Sequence, residues 1–295
     1  MPNRSGETVA VLHGLQDMIG GLDLVICDLW GVMHDGIVLH PPAVTAIQNA
    51  RTAGAQTVFL SNAPRPRGHV RDFLAGMGLP PPLADNVVTS GGLARDEVRN
   101  LYQGARLYHL GPAEDHNTID GLPVEVVADP ADAEIILATG LEYSDVAAHR
   151  ALLSPLAERG VPFLCANPDR VVHVGERLYH CAGIVADLYE TMGGDVHWFG
   201  KPTAAALQSC LTEVGMAQGH PGDRILMVGD SLQTDMEGAR AAGYQGLFIA
   251  GGIHRDEVPL LDRAAGAAGI ETQAFQKILG AEKAVPHAVM NKLEW

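Results

Sequence analysis

The chain of 295 residues carries 35 acidic against 20 basic side chains, a formal charge of −15, with 47% hydrophobic and only 5% aromatic residues. That composition supplies a core and excludes a disordered, collagen-like or disulfide-stapled chain. The charge excludes general affinity for nucleic acid, since a polyanion gains nothing from counterion release without a basic run, and Arg65, Arg67 and Arg71 form no such run.

Residues 22–29 are an apolar run punctuated by aspartates and broken by Gly31 and Gly36, which predicts a buried strand leading into a loop. Residues 42–53 place Val44, Ile47 and Ala50 at helical spacing, with prolines at the start and Gly54 after the end. A second strand is predicted at 57–60, stopping at Ser61 and Asn62. Strand, helix and strand in this order form a βαβ unit, hence a parallel sheet. Between Ser61 and Lys201 lie 139 residues, where one crossover and its strand need about 30. This stretch has its own signals: strands at 106–110, 124–127, 135–138 and 163–166, and helices at 144–159 and 182–192. The first grammar then returns, with a helix at 202–214, a strand at 224–228, a helix at 235–242 and a strand at 246–250. The expected fold is α/β, a Rossmann-like doubly wound parallel sheet built from residues 1–100 and 195–295 and interrupted by an inserted α/β domain at 101–194.

Cys27, Cys165, Cys181 and Cys210 are far apart, and the chain starts without the layout of a signal peptide. No apolar stretch approaches the roughly 20 residues of a membrane helix. Reduced thiols, a cytoplasmic location and no membrane or nucleic-acid partner are the expectations. Cys165, His173, His180 and Cys181 match no usual zinc spacing, and buried thiols with surface histidines are the simpler reading.

Four segments stand out once the strand ends are aligned, three of them following or beside apolar strands at the carboxyl edge where open parallel sheets bind ligands. They are CDLWGVMHDG at 27–36, FLSNAP at 59–64, GKP at 200–202 and MVGDSLQTDMEGA at 227–239. Asp28 offers a carboxylate that can attack phosphorus or coordinate a hard cation; Asp230 and Asp235 can complete an oxygen site for magnesium. Ser61 and Asn62 can donate to phosphate oxygens, and Lys201 brings the local positive charge an anionic substrate needs. Such a set fits phosphoryl transfer, where catalysis is mostly positioning and charge neutralisation. Taken singly, each has a plainer role: Asp28, Ser61 and Asn62 in turns, Asp235 complementing a helix dipole behind a Thr234 cap, Lys201 in solvent.

The four segments in this order resemble the four motifs of the haloacid dehalogenase superfamily, and WGVMHDG, the NAP after Ser61 and the NPD at 167–169 resemble its NagD-like class IIA branch. The resemblance implies a phosphatase with Asp28 as nucleophile, forming an aspartyl-phosphate. It also implies Mg2+ held by Asp28, the Trp30 carbonyl, Asp230 and Asp235, phosphoryl oxygens held by Ser61 and Asn62, and Lys201 beside the nucleophile. The insert would be a C2 cap carrying Asp169 near a small phosphorylated metabolite, and such caps often mediate homodimers. One departure stands out. Most phosphatases of the superfamily have an aspartate two positions after the nucleophile, as acid on the leaving oxygen and base on water, and this chain has Trp30. Three readings stay open at this level: a hydrolase restricted to good leaving groups, with His34 or Asp35 as a substitute acid; an idle relative that binds a phosphorylated metabolite; or a phosphotransferase or phosphonate-cleaving enzyme. Trp30 itself reads either as a stacking surface at the site mouth or as a packing residue.

Overall fold

A computed structural model describes residues 8–143, 145–174, 177–280 and 284–295. In chain order the strands are β1 (Thr8–Val11), β2 (Leu24–Cys27), β3 (Gln56–Ser61), β4 (Val87–Thr89), β5 (Arg106–Leu110), β6 (Glu125–Val127), β7 (Ile135–Ala138), β8 (Phe163–Cys165), β9 (Val171–Val174), β10 (Arg177–His180), β11 (Val196–Trp198), β12 (Ile225–Gly229), β13 (Gln245–Ile249), β14 (Ile270–Glu271) and β15 (Ala288–Met290). The helices are α1 (Pro41–Thr52), α2 (Arg67–Gly76), α3 (Ser90–Leu101), α4 (His149–Glu158), α5 (Ala182–Thr191), α6 (Ala204–Glu213), α7 (Glu237–Ala242), α8 (Val258–Ala264) and α9 (Thr272–Leu279). The chain divides into two compact units, Met1–Leu60 with Phe73–Val87 and Leu207–Trp295, and Ser61–Asp72 with Val88–Ala206.

Among the described residues, one sheet has the order β14-β1-β15-β13-β12-β2-β3-β4. From β2 the chain steps outward through β3 to β4, then returns after the insert to add β12, β13 and β15 on the other side of β2. The order therefore reverses between β2 and β12, which pair in parallel with Cys27 opposite Val228. Residues 24–27 and 225–228 are fully buried, as strands covered on both faces must be, and this explains why they read as unbroken apolar runs. Helix α1 starts on prolines, whose fixed φ suits the first turn, and buries Ala43, Ala46, Ile47 and Ala50. The helix expected at 235–242 instead opens with a wide turn over Leu232–Met236, in which the Met236 amide donates to the Ser231 carbonyl at 3.1 Å, before α7 begins.

The second unit holds a parallel sheet of order β11-β8-β7-β5-β6 and the antiparallel pair β9–β10. Strand residues alternate between two cores. Tyr108, Leu110, Ile136, Ala138, Phe163 and Cys165 pack with Leu153, Leu156, Val185 and Tyr189 of α4 and α5. Leu107, Ile135, Leu137 and Leu164 pack on the opposite face with Ala94 and Val98 of α3. Helix α3, expected in the first domain, thus shares its core with the insert's sheet. In the helix expected at 144–159, residue 144 lies outside the described residues, 146–148 form a 3-10 turn, and α4 follows.

Candidate active site

Asp28 follows β2 and Asp230 follows β12, so both stand at the carboxyl ends of adjacent strands, where the strand order reverses and open sheets bind ligands. Asp235 reaches the same place from the wide turn, which Ser231 rather than Thr234 caps, its hydroxyl accepting the Thr234 amide at 3.3 Å. Such turns recur at functional sites because the extra residue re-aims a side chain. Among the described residues, Asp28, Asp230 and Asp235 are the one group of potential metal ligands that converges, each with a carboxylate oxygen within 4.8 Å of the others. All three are under 9% exposed.

Backbone amides fix the carboxylates. Leu29 donates to Asp28 Oδ1 at 2.7 Å, Ile253 to Asp230 Oδ2 at 2.8 Å and Ser231 to Asp235 Oδ2 at 3.0 Å. Glycines let the chain close in: a Cβ at Gly31 would lie 1.8 Å from Asp230 Oδ2, at Gly252 2.1 Å from the same atom, and at Gly229 2.1 Å from Asp235 Cγ. Three buried like charges at this separation repel, and a small hard cation is the partner that suits an all-oxygen donor set. The residues present fit magnesium. Gly252 and the Ile253 amide went unnoticed in the sequence; the only signal for them is the Gly251-Gly252 pair just after β13.

The loop from Trp30 to Leu39 answers the question of a substitute acid. His34 is 3% exposed, its ring set edge-on to Trp30 at 5.2 Å and to Phe73 at 5.5 Å. Its Nδ1 accepts the Gly36 amide at 3.0 Å, and burial lowers its pKa to about 4. This imidazole does not titrate near neutrality. Asp35 Oδ1 accepts the amides of Ile37 and Val38 at 2.9 and 2.8 Å, which hold its carboxyl below the ordinary range. Neither residue fits the acid role. The Trp30 indole lies against Gly36, where a Cβ would come within 2.3 Å of Cη2.

The remaining site residues belong to the second unit. Ser61 ends β3, and its hydroxyl accepts the Ala63 amide at 3.2 Å, closing a turn. The Asn62 side-chain Oδ1 accepts the Lys201 backbone amide at 2.8 Å, and its Nδ2 donates to Asp169 Oδ1 at 2.8 Å. Asn62, Asp169 and the Lys201 backbone are therefore one hydrogen-bonded group, a link no spacing in the sequence announces. Arg65 is not a free surface cation. It pairs with the buried Asp115 at 2.7 Å, a carboxyl that burial pushes up, and bonds the Glu114 carbonyl. Cys165 and Cys181 are buried thiols, with burial raising Cys181 to about 12 and Cys165 further.

Residues 25–125 match the family described as haloacid dehalogenase-like hydrolase, and residues 198–272 the HAD-hydrolase-like family. A solved hydrolase of the haloacid dehalogenase-like family from Brucella suis 1330 is 33% identical, covers 96% of this chain and 100% of its own, and superposes with a TM-score of 0.78. The ribonucleotide monophosphatase NagD of Escherichia coli K12 is 25% identical over 78% of this chain and 88% of its own. The D-glycerol 3-phosphate phosphatase of Mycobacterium tuberculosis is 28% identical over 79% of this chain and 64% of its own. With the carboxylate cluster at the reversal point of the sheet and a full-length relative at this identity, the chain belongs to the haloacid dehalogenase-like hydrolases, in their NagD-like class IIA branch.

Proposed function

We propose that the chain is a magnesium-dependent phosphatase of small-molecule phosphate monoesters, working through an aspartyl-phosphate at Asp28. The observation that carries this reading is the convergence of Asp28, Asp230 and Asp235 beside Gly31 and Gly252, and the phosphatase names of the relatives support it. An Asp28 oxygen attacks phosphorus, the bond to the leaving oxygen breaks, and that oxygen keeps the electron pair. Water then attacks the same phosphorus, the bond to Asp28 breaks, and inorganic phosphate departs with the carboxylate restored. Asp28, Asp230, Asp235 and the Trp30 carbonyl would hold magnesium, which when bound would supply positive charge against the phosphoryl oxygens. Ser61 and Lys201 orient and neutralise those oxygens, and the insert acts as a C2-type cap that presents Asp169 to the substrate and selects the leaving group.

The Trp30 indole N–H is far too weak an acid to transfer its proton, burial keeps His34 neutral, and Asp35 is tied into its turn by the Ile37 and Val38 amides. Leaving groups that depart as stable anions are therefore favoured. The missing acid is worth about 10² to 10⁴ in rate, roughly 3 to 5 kcal/mol of barrier, for alkyl phosphates. Four buried cysteines with no disulfide among the described residues suit a reducing cytoplasm.

The test is phosphate release from p-nitrophenyl phosphate with magnesium. Asp28→Asn and chelation by EDTA each abolish it; activity retained in either case refutes the mechanism. No release by the native chain, with measurable binding of a phosphorylated metabolite, would instead mark an idle relative.

A further inference from the structure

We infer that Asn62 is a positioning residue that ties the catalytic lysine's backbone to Asp169, so that the NPD segment and Lys201 move as one. The inference rests on the phosphatase reading for its consequence and on hydrogen bonding for its basis. Asn62 is 4% exposed, and the orientation of its amide is unambiguous: the Lys201 N–H can only donate and the Asp169 carboxylate can only accept. With the carbonyl oxygen on Lys201 and the amide nitrogen on Asp169, and a longer approach of that nitrogen to the Lys201 carbonyl at 3.5 Å, the side chain is committed within the protein. It links two parts of the proposed machinery that lie 32 residues apart in sequence.

Both ends of the link are themselves fixed. On the lysine side, Ser90 Oγ donates to the Phe199 carbonyl at 2.5 Å. Gly200, at φ +96°, brings its Cα so close that a Cβ would lie 2.4 Å from Asn62 Oδ1 and 3.0 Å from the Ser90 Cβ. On the aspartate side, the Asp169 amide donates to Asn167 Oδ1 at 3.3 Å, and the Asp169 carbonyl accepts the Gly183 amide at 3.1 Å. A Cβ at Gly183 would fall 2.4 Å from the Pro168 carbonyl oxygen, so the start of α5 presses on this segment. The two loops leave the paired strands β8 and β11, where the Phe199 amide donates to the Cys165 carbonyl at 3.1 Å, and the Asn62 amide adds a side-chain joint beyond the strand ends, so that a displacement of Asp169 on meeting substrate is passed to the main chain that carries Lys201.

The experiment is a pair exchange. Asn62→Asp keeps an acceptor for the Lys201 amide but sets a carboxylate against Asp169; kcat for p-nitrophenyl phosphate is expected to fall about 10- to 100-fold, the span of a coupled pair. Product inhibition by inorganic phosphate should stay within about threefold. Adding Asp169→Asn restores a donor and acceptor in reversed order, and the exchange rate of the Lys201 amide, read without substrate, returns to within about threefold of the native value. A double variant whose Lys201 amide exchanges as fast as in Asn62→Asp overturns the inference. So does loss of phosphate inhibition in Asn62→Asp that the second change does not repair, the result expected if Asn62 held the phosphoryl group itself. Amide hydrogen exchange keeps this separate from the functional reading. In Asn62→Ala the Lys201 amide should exchange at least about tenfold faster whether or not the native chain turns over, and an unchanged rate removes the structural basis.

Discussion

Replacing Gly31 by alanine probes the confinement of Asp230. An alanine Cβ would sit 1.8 Å from Asp230 Oδ2, so the carboxylate would have to retreat by roughly 1.5 Å to reach van der Waals contact. Retreat toward Gly252 is blocked, since the backbone there also closes on this oxygen so tightly that a Cβ would lie 2.1 Å from it, and any other movement of this size breaks the 2.8 Å bond from the Ile253 amide. A hydrogen bond to a charged group is worth about 1.5–3 kcal/mol, and holding alanine at a φ of +75° costs about 1–2 kcal/mol more. The sum, about 3–5 kcal/mol, lowers the melting temperature by roughly 6–15 °C. A displaced ligand weakens magnesium binding by about 10- to 100-fold. Calorimetric titration with magnesium and thermal melts measure both, with Gly20→Ala as the control, because a Cβ there meets nothing within 4 Å. A Gly31→Ala protein that binds magnesium as tightly as the native chain would refute the idea that the two glycines pinch Asp230 into place.

Trp30→Asp is expected to raise the ratio of alkyl- to aryl-phosphate turnover, by up to about 10²- to 10⁴-fold, and the ratio is insensitive to any loss of folded protein; an unchanged ratio would show that proton donation does not limit alkyl substrates. At the opposite edge of the sheet, Asp23 is held far below the ordinary carboxyl range, first by the hydrogen bond from Arg224 and then by that from His220. A depressed folded-state pKa contributes stability that is present above the unfolded value, near 4, and lost as pH falls below it. Asp23→Asn should therefore flatten the dependence of melting temperature on pH below about 4 while leaving its slope near neutrality unchanged; an acid limb as steep as the native one would remove Asp23 from its cause.

The sheets were legible because parallel strands buried on both faces must be apolar throughout: residues 106–110 and 135–138 lie where the pattern predicts, and the four-segment order located Asp28, Asp230 and Asp235. What was missed has local causes. Strands β1, β14 and β15 run four, two and three residues, too short to show a period. Helix α3 opens on Ser90-Gly91-Gly92, a poor helix sequence, yet a Cβ at Gly91 would lie 2.0 Å from the Pro64 carbonyl oxygen, so packing overrode propensity. For His34 the residue type was readable and the environment was not. The same histidine in solvent would titrate near neutrality; set between Trp30 and Phe73 it stays neutral. The role of Asn62 was illegible for a related reason, since a sequence shows that an amide is present but not which groups face it.

The adjacency of β2 and β12 bears on how the chain is made. Asp23 and Arg224, which join these strands at their base, are 201 residues apart, and closing a loop of that length costs about 5 kcal/mol beyond a constant term. During synthesis β2 and β3 leave the ribosome early and wait, with an unpaired apolar edge, until β12 arrives. All strands of the second sheet, from β5 to β11, have been made by then. The order of assembly is therefore inside out: the insert can complete its own core first, and Asp28, Asp230 and Asp235 come together only when β12 pairs with β2.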